Sequence, residues 1–185
     1  MNELDDSAVA QRVRVMQVVA AALLMGVVAL LGIAFYRVYG RPDEEAAPVP
    51  ETPVLTIVAF VLLAACAGPS LLLPRLQTRK ALQQIAAGTW QPPAKSDPKA
   101  FEGDTAKLLA IRQTVMIVSF ALLEGPAFLA CIAFLIEARP YVFAVVALAV
   151  AGMLLRFPTE GSVRAWLSQQ QEQLNRMRAG GSPGN

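Results

Sequence analysis

Four long apolar runs dominate the chain and leave few folds open to it: spans 15–36, 54–73, 114–136 and 141–157. A bilayer core of ~30 Å is crossed by about 20 helical residues at 1.5 Å each. Three runs meet that length, and the fourth needs its flanking residues to reach it. With 55% hydrophobic and 16% charged residues among 185, too little amphipathic surface remains to wrap such helices in a soluble bundle, where about a quarter of residues would be charged. The expected fold is all-α: a four-transmembrane-helix bundle with polar helices on its cytoplasmic side.

Orientation follows from the basic residues. Arg12, Arg14, Arg75, Arg79, Lys80, Lys95, Lys99, Lys107, Arg112, Arg156, Arg164, Arg176 and Arg178 fall on one side of the runs, and only Arg37, Arg41 and Arg139 on the other. The excess of Lys and Arg on cytoplasmic loops predicts that both termini and the central segment are cytoplasmic, in a multi-pass protein of the inner (plasma) membrane. The leader "MNELDDSAVAQRVR" carries three acids and precedes a run longer than a signal-peptide core, so it reads as mature sequence. Cys66 and Cys131 lie about 10 Å apart in depth along their spans, too far for a disulfide.

The chain also repeats itself. A shift of 99 residues sets "ALLMGVVALLGIAF" at Ala22–Phe35 on "ALLEGPAFLACIAF" at Ala121–Phe134, with eight of fourteen positions identical. A shift of 84 sets Val58, Val61, Ala65, Ala67, Gly68, Leu71 and Pro74 on Val142, Val145, Ala149, Ala151, Gly152, Leu155 and Pro158. Two parallel tandem hairpins are predicted: repeat one over 12–87, a proline-rich linker over 88–104, and repeat two over 105–178, with 179–185 disordered. In each repeat a proline closes the second span and a polar helix follows.

Where repeat one has Met25, repeat two has Glu124, ten residues into its 23-residue span. A charged carboxyl there costs roughly 2.5–3.5 kcal/mol, so it is expected to face protein or water. Gly125 and Pro126 follow, and Pro126 frees the carbonyl of Leu122, which marks a kink. Two readings stay open: a neutral or hydrogen-bonded carboxyl that fixes packing at the kink, and a proton- or cation-binding site. Arg14 and Arg112 at the inner ends of the equivalent spans, with Trp166, read as interface anchors.

The string "LLEGPAFLACIAFLIE" resembles the carboxylate-bearing helix of rotary ATPase proteolipids (subunit c), and a duplicated hairpin keeping one glutamate is similar to their four-span form. Those proteins carry the carboxylate on the second helix of a hairpin, whereas Glu124 lies on the first. Arg112, the stretch Ala121–Pro126 and "RFPTEGSVRAWL" from Arg156 also resemble small four-span bacterial inner-membrane proteins, a likeness that implies no particular activity.

Chemistry is sparse elsewhere. There is no histidine, Cys-x-x-Cys, phosphate-cradling loop or nucleophile elbow. Asp43, Glu44 and Glu45 read as a solvated outer loop. Val163, Trp166, Leu167, Leu174 and Met177 share one face of a tail helix, suited to the membrane surface or to pairing with the segment at 76–85. Small residues, among them Gly26, Gly32, Ala64, Ala65, Ala67, Gly68, Ala149, Ala151 and Gly152, permit close helix contact. The sequence therefore predicts a non-enzymatic membrane protein without cofactor or metal. Its partners would be the lipid bilayer and a second copy or another membrane protein, not nucleic acid. The alternative is an ion-coupled conductor using Glu124.

Overall fold

A computed structural model describes residues 3–40, 51–92, 101 and 103–180. The acidic cluster Asp43–Glu45, most of the linker and residues 181–185 lie outside them. Five helices follow in order: α1 Glu3–Tyr39, α2 Val54–Ala86, α3 Asp104–Glu137, α4 Val142–Leu154 and α5 Glu160–Gly180. The described residues contain no strand.

Helices α1, α2 and α3 have 37, 33 and 34 residues, about 50–55 Å each. They are long and apolar enough to cross a membrane, and each runs on as helix well past its apolar run. The expected break after span two does not occur: α2 continues through Pro69 and Pro74 to Ala86. A proline removes one donor and leaves the bonds on either side intact, and in this stretch the Ser70 hydroxyl donates to the Ala67 carbonyl at 2.8 Å. After α4, by contrast, the chain does break. α4 has 13 residues, about 20 Å, shorter than the expected 141–157. Single-turn bonds from Arg156 and Phe157 to Met153 and Leu154 end it. Thr159 then caps α5, its hydroxyl accepting from the Ser162 amide at 3.3 Å and its carbonyl from the Val163 amide at 3.0 Å. α5 extends to Gly180, into the tail expected to be disordered.

The chain divides into two compact units. The first takes residues 1–17, 73–117 and 158–185. Among the described residues it contains Arg12, Arg14, Arg75, Arg79, Lys80, Lys107, Arg112, Arg164, Arg176 and Arg178, all of them among the basic residues assigned to the cytoplasmic side. Its core is Val13, Met16, Leu82, Leu108, Val163 and Leu174. α5 buries Val163, Leu167, Gln170 and Leu174, the three-four spacing of one helix face. Trp166 and Met177 are half-buried beside it. Its recorded side-chain contacts run to α3: Arg178 binds both Asp104 oxygens at 2.6 and 3.1 Å, and Gln171 donates to Thr105 at 3.0 Å.

The second unit takes residues 18–72 and 118–157. Alanine fills much of its interior: Ala20, Ala34, Ala59, Ala127, Ala130, Ala133 and Ala149 are wholly buried. Side chains this small let helix backbones approach closely, which is how helices associate where lipid removes the hydrophobic driving force. An aromatic row, Phe35–Tyr39–Phe134–Phe143, joins α1, α3 and α4 with centroids 4.8, 5.9 and 4.7 Å apart. The two phenylalanines matched by the sequence repeat flank one tyrosine. Their surroundings differ, Phe35 being exposed and Phe134 buried.

Candidate functional site

Glu124 lies in the second unit, on the buried side of α3. Its half-buried side chain faces α1 at Gly26: an ideal Cβ there would stand 3.7 Å from Glu124 Oε1 and 3.5 Å from the Phe128 ring. The glycine thus opens the space beside the carboxyl. α3 stays one helix through Gly125 and Pro126. Glu124 forms no hydrogen bond or ion pair among the described residues. Gly125 is open, with nothing within 4 Å of a Cβ.

A second acidic residue, Glu137, was not singled out by the sequence. It ends α3, is only 2% exposed, and grips the first turn of α2. Its Oε1 accepts the Leu55 amide at 2.6 Å, and its Oε2 accepts the Thr56 amide at 3.0 Å and the Thr56 hydroxyl. The first amides of a helix have no partner within it and sit at the positive end of its dipole. Glu137 therefore supplies from another helix the cap that α2 lacks at Pro53. The signal was present: an acid at the end of an apolar span, and Thr56 as a polar residue inside span two. Their pairing is tertiary and cannot be read from spacing.

The turn after Glu137 places Ala138 at φ +49, a left-handed conformation that an alanine adopts at a cost. The Ala138 amide still donates to the Phe134 carbonyl at 2.9 Å, closing the last turn of α3. Arg139 follows, its Nε buried without a partner among the described residues.

Of the three anchors, the structure brings two together. In the first unit the Arg112 guanidinium stands over the Trp166 ring at 5.3 Å, a cation–π contact between α3 and α5. Arg14 is exposed. The small residues divide similarly. Gly26, Ala149 and Gly152 pack inside the second unit, Gly152 with Leu123 at 3.1 Å from an ideal Cβ. Ala64, Ala65, Ala67 and Gly68 on α2 are exposed, as are Gly32 and Ala151.

No group of three or more acidic or cysteine side chains is placed to hold a metal among the described residues. Cys66 and Cys131 are both free thiols. No family model matches the chain, and no curated protein or solved structure is significantly similar to it. Any functional reading rests on the residues themselves.

Proposed function

We propose that the chain is a four-span protein of a bacterial inner membrane that works without catalysis, through helix association in the bilayer. The observation that carries this reading is the unequal burial of its long helices. Half of the most apolar stretch of α3 is buried inside the chain, against 17% for α1 and for α2. Apolar side chains such as Val18, Met25, Val61, Leu71 and Leu72 face outward, as the small residues of α2 do. That surface suits lipid and, at Ala64–Gly68, a closely packed second helix. The fourth crossing in this reading is α4 with its apolar flanks Tyr141, Leu155 and Phe157, and the basic residues gathered in the first unit support cytoplasmic ends.

Cys66 stands half-buried within the small-residue stretch of α2, while Cys131 is buried. Oxidative cross-linking of native membranes tests the association. A dimer band that disappears in Cys66→Ala and persists in Cys131→Ala is expected. A monomer under all conditions would remove the second copy as the associating partner.

A second reading has one observation in its favour: Glu124 sits beside the opening at Gly26 with no hydrogen-bond or ion-pair partner among the described residues. In that reading it exchanges a proton or cation. Carbodiimide labelling of Glu124, scanned over pH in lipid, separates the two. Labelling near neutral pH that fades as pH or sodium rises supports exchange, and no labelling at any pH supports packing alone.

A further inference from the structure

Helix association leaves unused a cavity at the inner end of α2. The helix ends at Ala86, and the turn beyond it passes through Gly88, whose φ of +68 suits glycine. The amides of Thr89 and Trp90 both turn back to the Gln84 carbonyl, at 2.9 and 3.2 Å. This reversal carries Trp90 and Gln91 over the groove between α2 and the start of α3. With Gln77 above and Ile111, Thr114 and Val115 below, they border a cavity of about 280 Å³. The Trp90 ring packs against Phe101 at 5.8 Å, and the Arg12 guanidinium stands 5.5 Å from the Phe101 centroid. The turn is therefore held in place from outside.

Among the described residues no carboxylate borders this cavity, and the helix segments that carry it are basic. Residues 73–86 of α2 include Arg75, Arg79 and Lys80 and no acid, and residues 105–117 of α3 include Lys107 and Arg112 and no acid. Asp104, the acid that begins α3, is engaged by Arg178. The two Gln amides and the Trp90 indole offer N–H donors, and Ile111 and Val115 offer an apolar floor. Gln77 lies four residues beyond span two, and Thr114 opens span three. If the chain spans the membrane as proposed, this places the cavity at the headgroup level, where an indole is at home.

We propose that this cavity binds the phosphodiester headgroup of an anionic phospholipid, with the roots of its acyl chains against Ile111 and Val115. A phosphodiester presents acceptors alone, which matches N–H donors carried on basic helix segments with no carboxylate among the described lining residues. The inference rests on the membrane reading above.

The test uses the full chain with Trp166→Phe, which leaves Trp90 as its one tryptophan. The protein is placed in phosphatidylcholine bilayers containing a small fraction of either phosphatidylglycerol or phosphatidylcholine brominated near the glycerol end of its chains. Trp90 emission is expected to be quenched severalfold more by the brominated phosphatidylglycerol. The added substitutions Gln77→Leu and Gln91→Leu are expected to abolish that difference and leave the common quenching. Equal quenching by both lipids overturns the site and leaves the membrane reading intact. Relief of the quenching by millimolar inorganic phosphate would assign the cavity to a soluble phosphate compound and overturn the lipid. No quenching by either lipid, with the red-shifted emission of a hydrated indole, would overturn the membrane placement itself.

Discussion

Glu137 closes the first turn of α2 from the last turn of α3, accepting the Leu55 and Thr56 amides at 2.6 and 3.0 Å and the Thr56 hydroxyl as well. Removing the carboxyl strands a part-buried amide, a buried amide and a buried hydroxyl. Hydrogen bonds to charged groups contribute about 1.5–3 kcal/mol, against about 1 for neutral ones. Glu137→Ala is therefore expected to destabilise the protein by at least about 2 kcal/mol, and Thr56→Val by about 1. Reversible unfolding in mixed micelles measures both. Equal, negligible effects would mean that water serves the α2 amides equally well.

The turn that presents Glu137 is strained at Ala138, with φ +49. Glycine adopts that conformation without a Cβ clash. Ala138→Gly is expected to be neutral or stabilising by up to about 1 kcal/mol, whereas Ala138→Val is destabilising. The same unfolding measurement ranks them.

Gly26 and Gly152 face neighbours at different distances. A Cβ at Gly26 would meet Phe128 at 3.5 Å, an ordinary contact, and Gly26→Ala is expected to fold normally. At Gly152 the Cβ meets a Leu123 methyl at 3.1 Å, so Leu123 must yield slightly. Leucine at either position overfills a packed interface and is expected to cost about 1–3 kcal/mol. Thermal unfolding of the four variants gives the order.

Asp104 and Arg178 tie α3 to α5 in the first unit. The Arg178 guanidinium holds the Asp104 carboxyl below its ordinary range, and Asp104 in turn raises Arg178. A depressed folded-state value means that the pair's contribution is full above the ordinary aspartate range and is lost as acid protonates Asp104. Both groups are solvent-accessible, so that contribution is about 0.2–1 kcal/mol and weakens with salt. Asp104→Asn is expected to remove this acid-side loss while lowering stability at neutral pH by the same small amount. Amide exchange along α5, followed between pH 3 and 7, reads it.

Much of this architecture was legible in composition and run length. Lipid must meet apolar side chains, so helices α1, α2 and α3 declare themselves without any tertiary information. Their ends did not. Pro74 signals a stop, yet α2 passes through it, because one missing amide does not outweigh the bonds on either side. Pro158 signals a stop at nearly the same spacing, and there α4 has already ended. The partners of single polar groups were hidden for another reason. Glu124 stood out because its neighbours in sequence are apolar, whereas Glu137, at a span's edge, looks like any interfacial acid until α2 is seen to begin beside it. In the sequence Arg112 and Trp166 read as separate anchors to the membrane surface. Only the docking of α5 along α3 makes them a pair.

The most direct test of four crossings is sidedness. Single cysteines replacing Ser7, Thr52, Gly103, Pro140 and Ser168, in a chain with Cys66 and Cys131 changed to Ala, report which face of the membrane each position occupies when a membrane-impermeant maleimide is added to sealed vesicles. Thr52 and Pro140 are expected to react from one side, and Ser7, Gly103 and Ser168 from the other. The short α4 makes Ser168 the deciding position. If it reacts from the same side as Pro140, α4 does not cross, and the four-span account is contradicted.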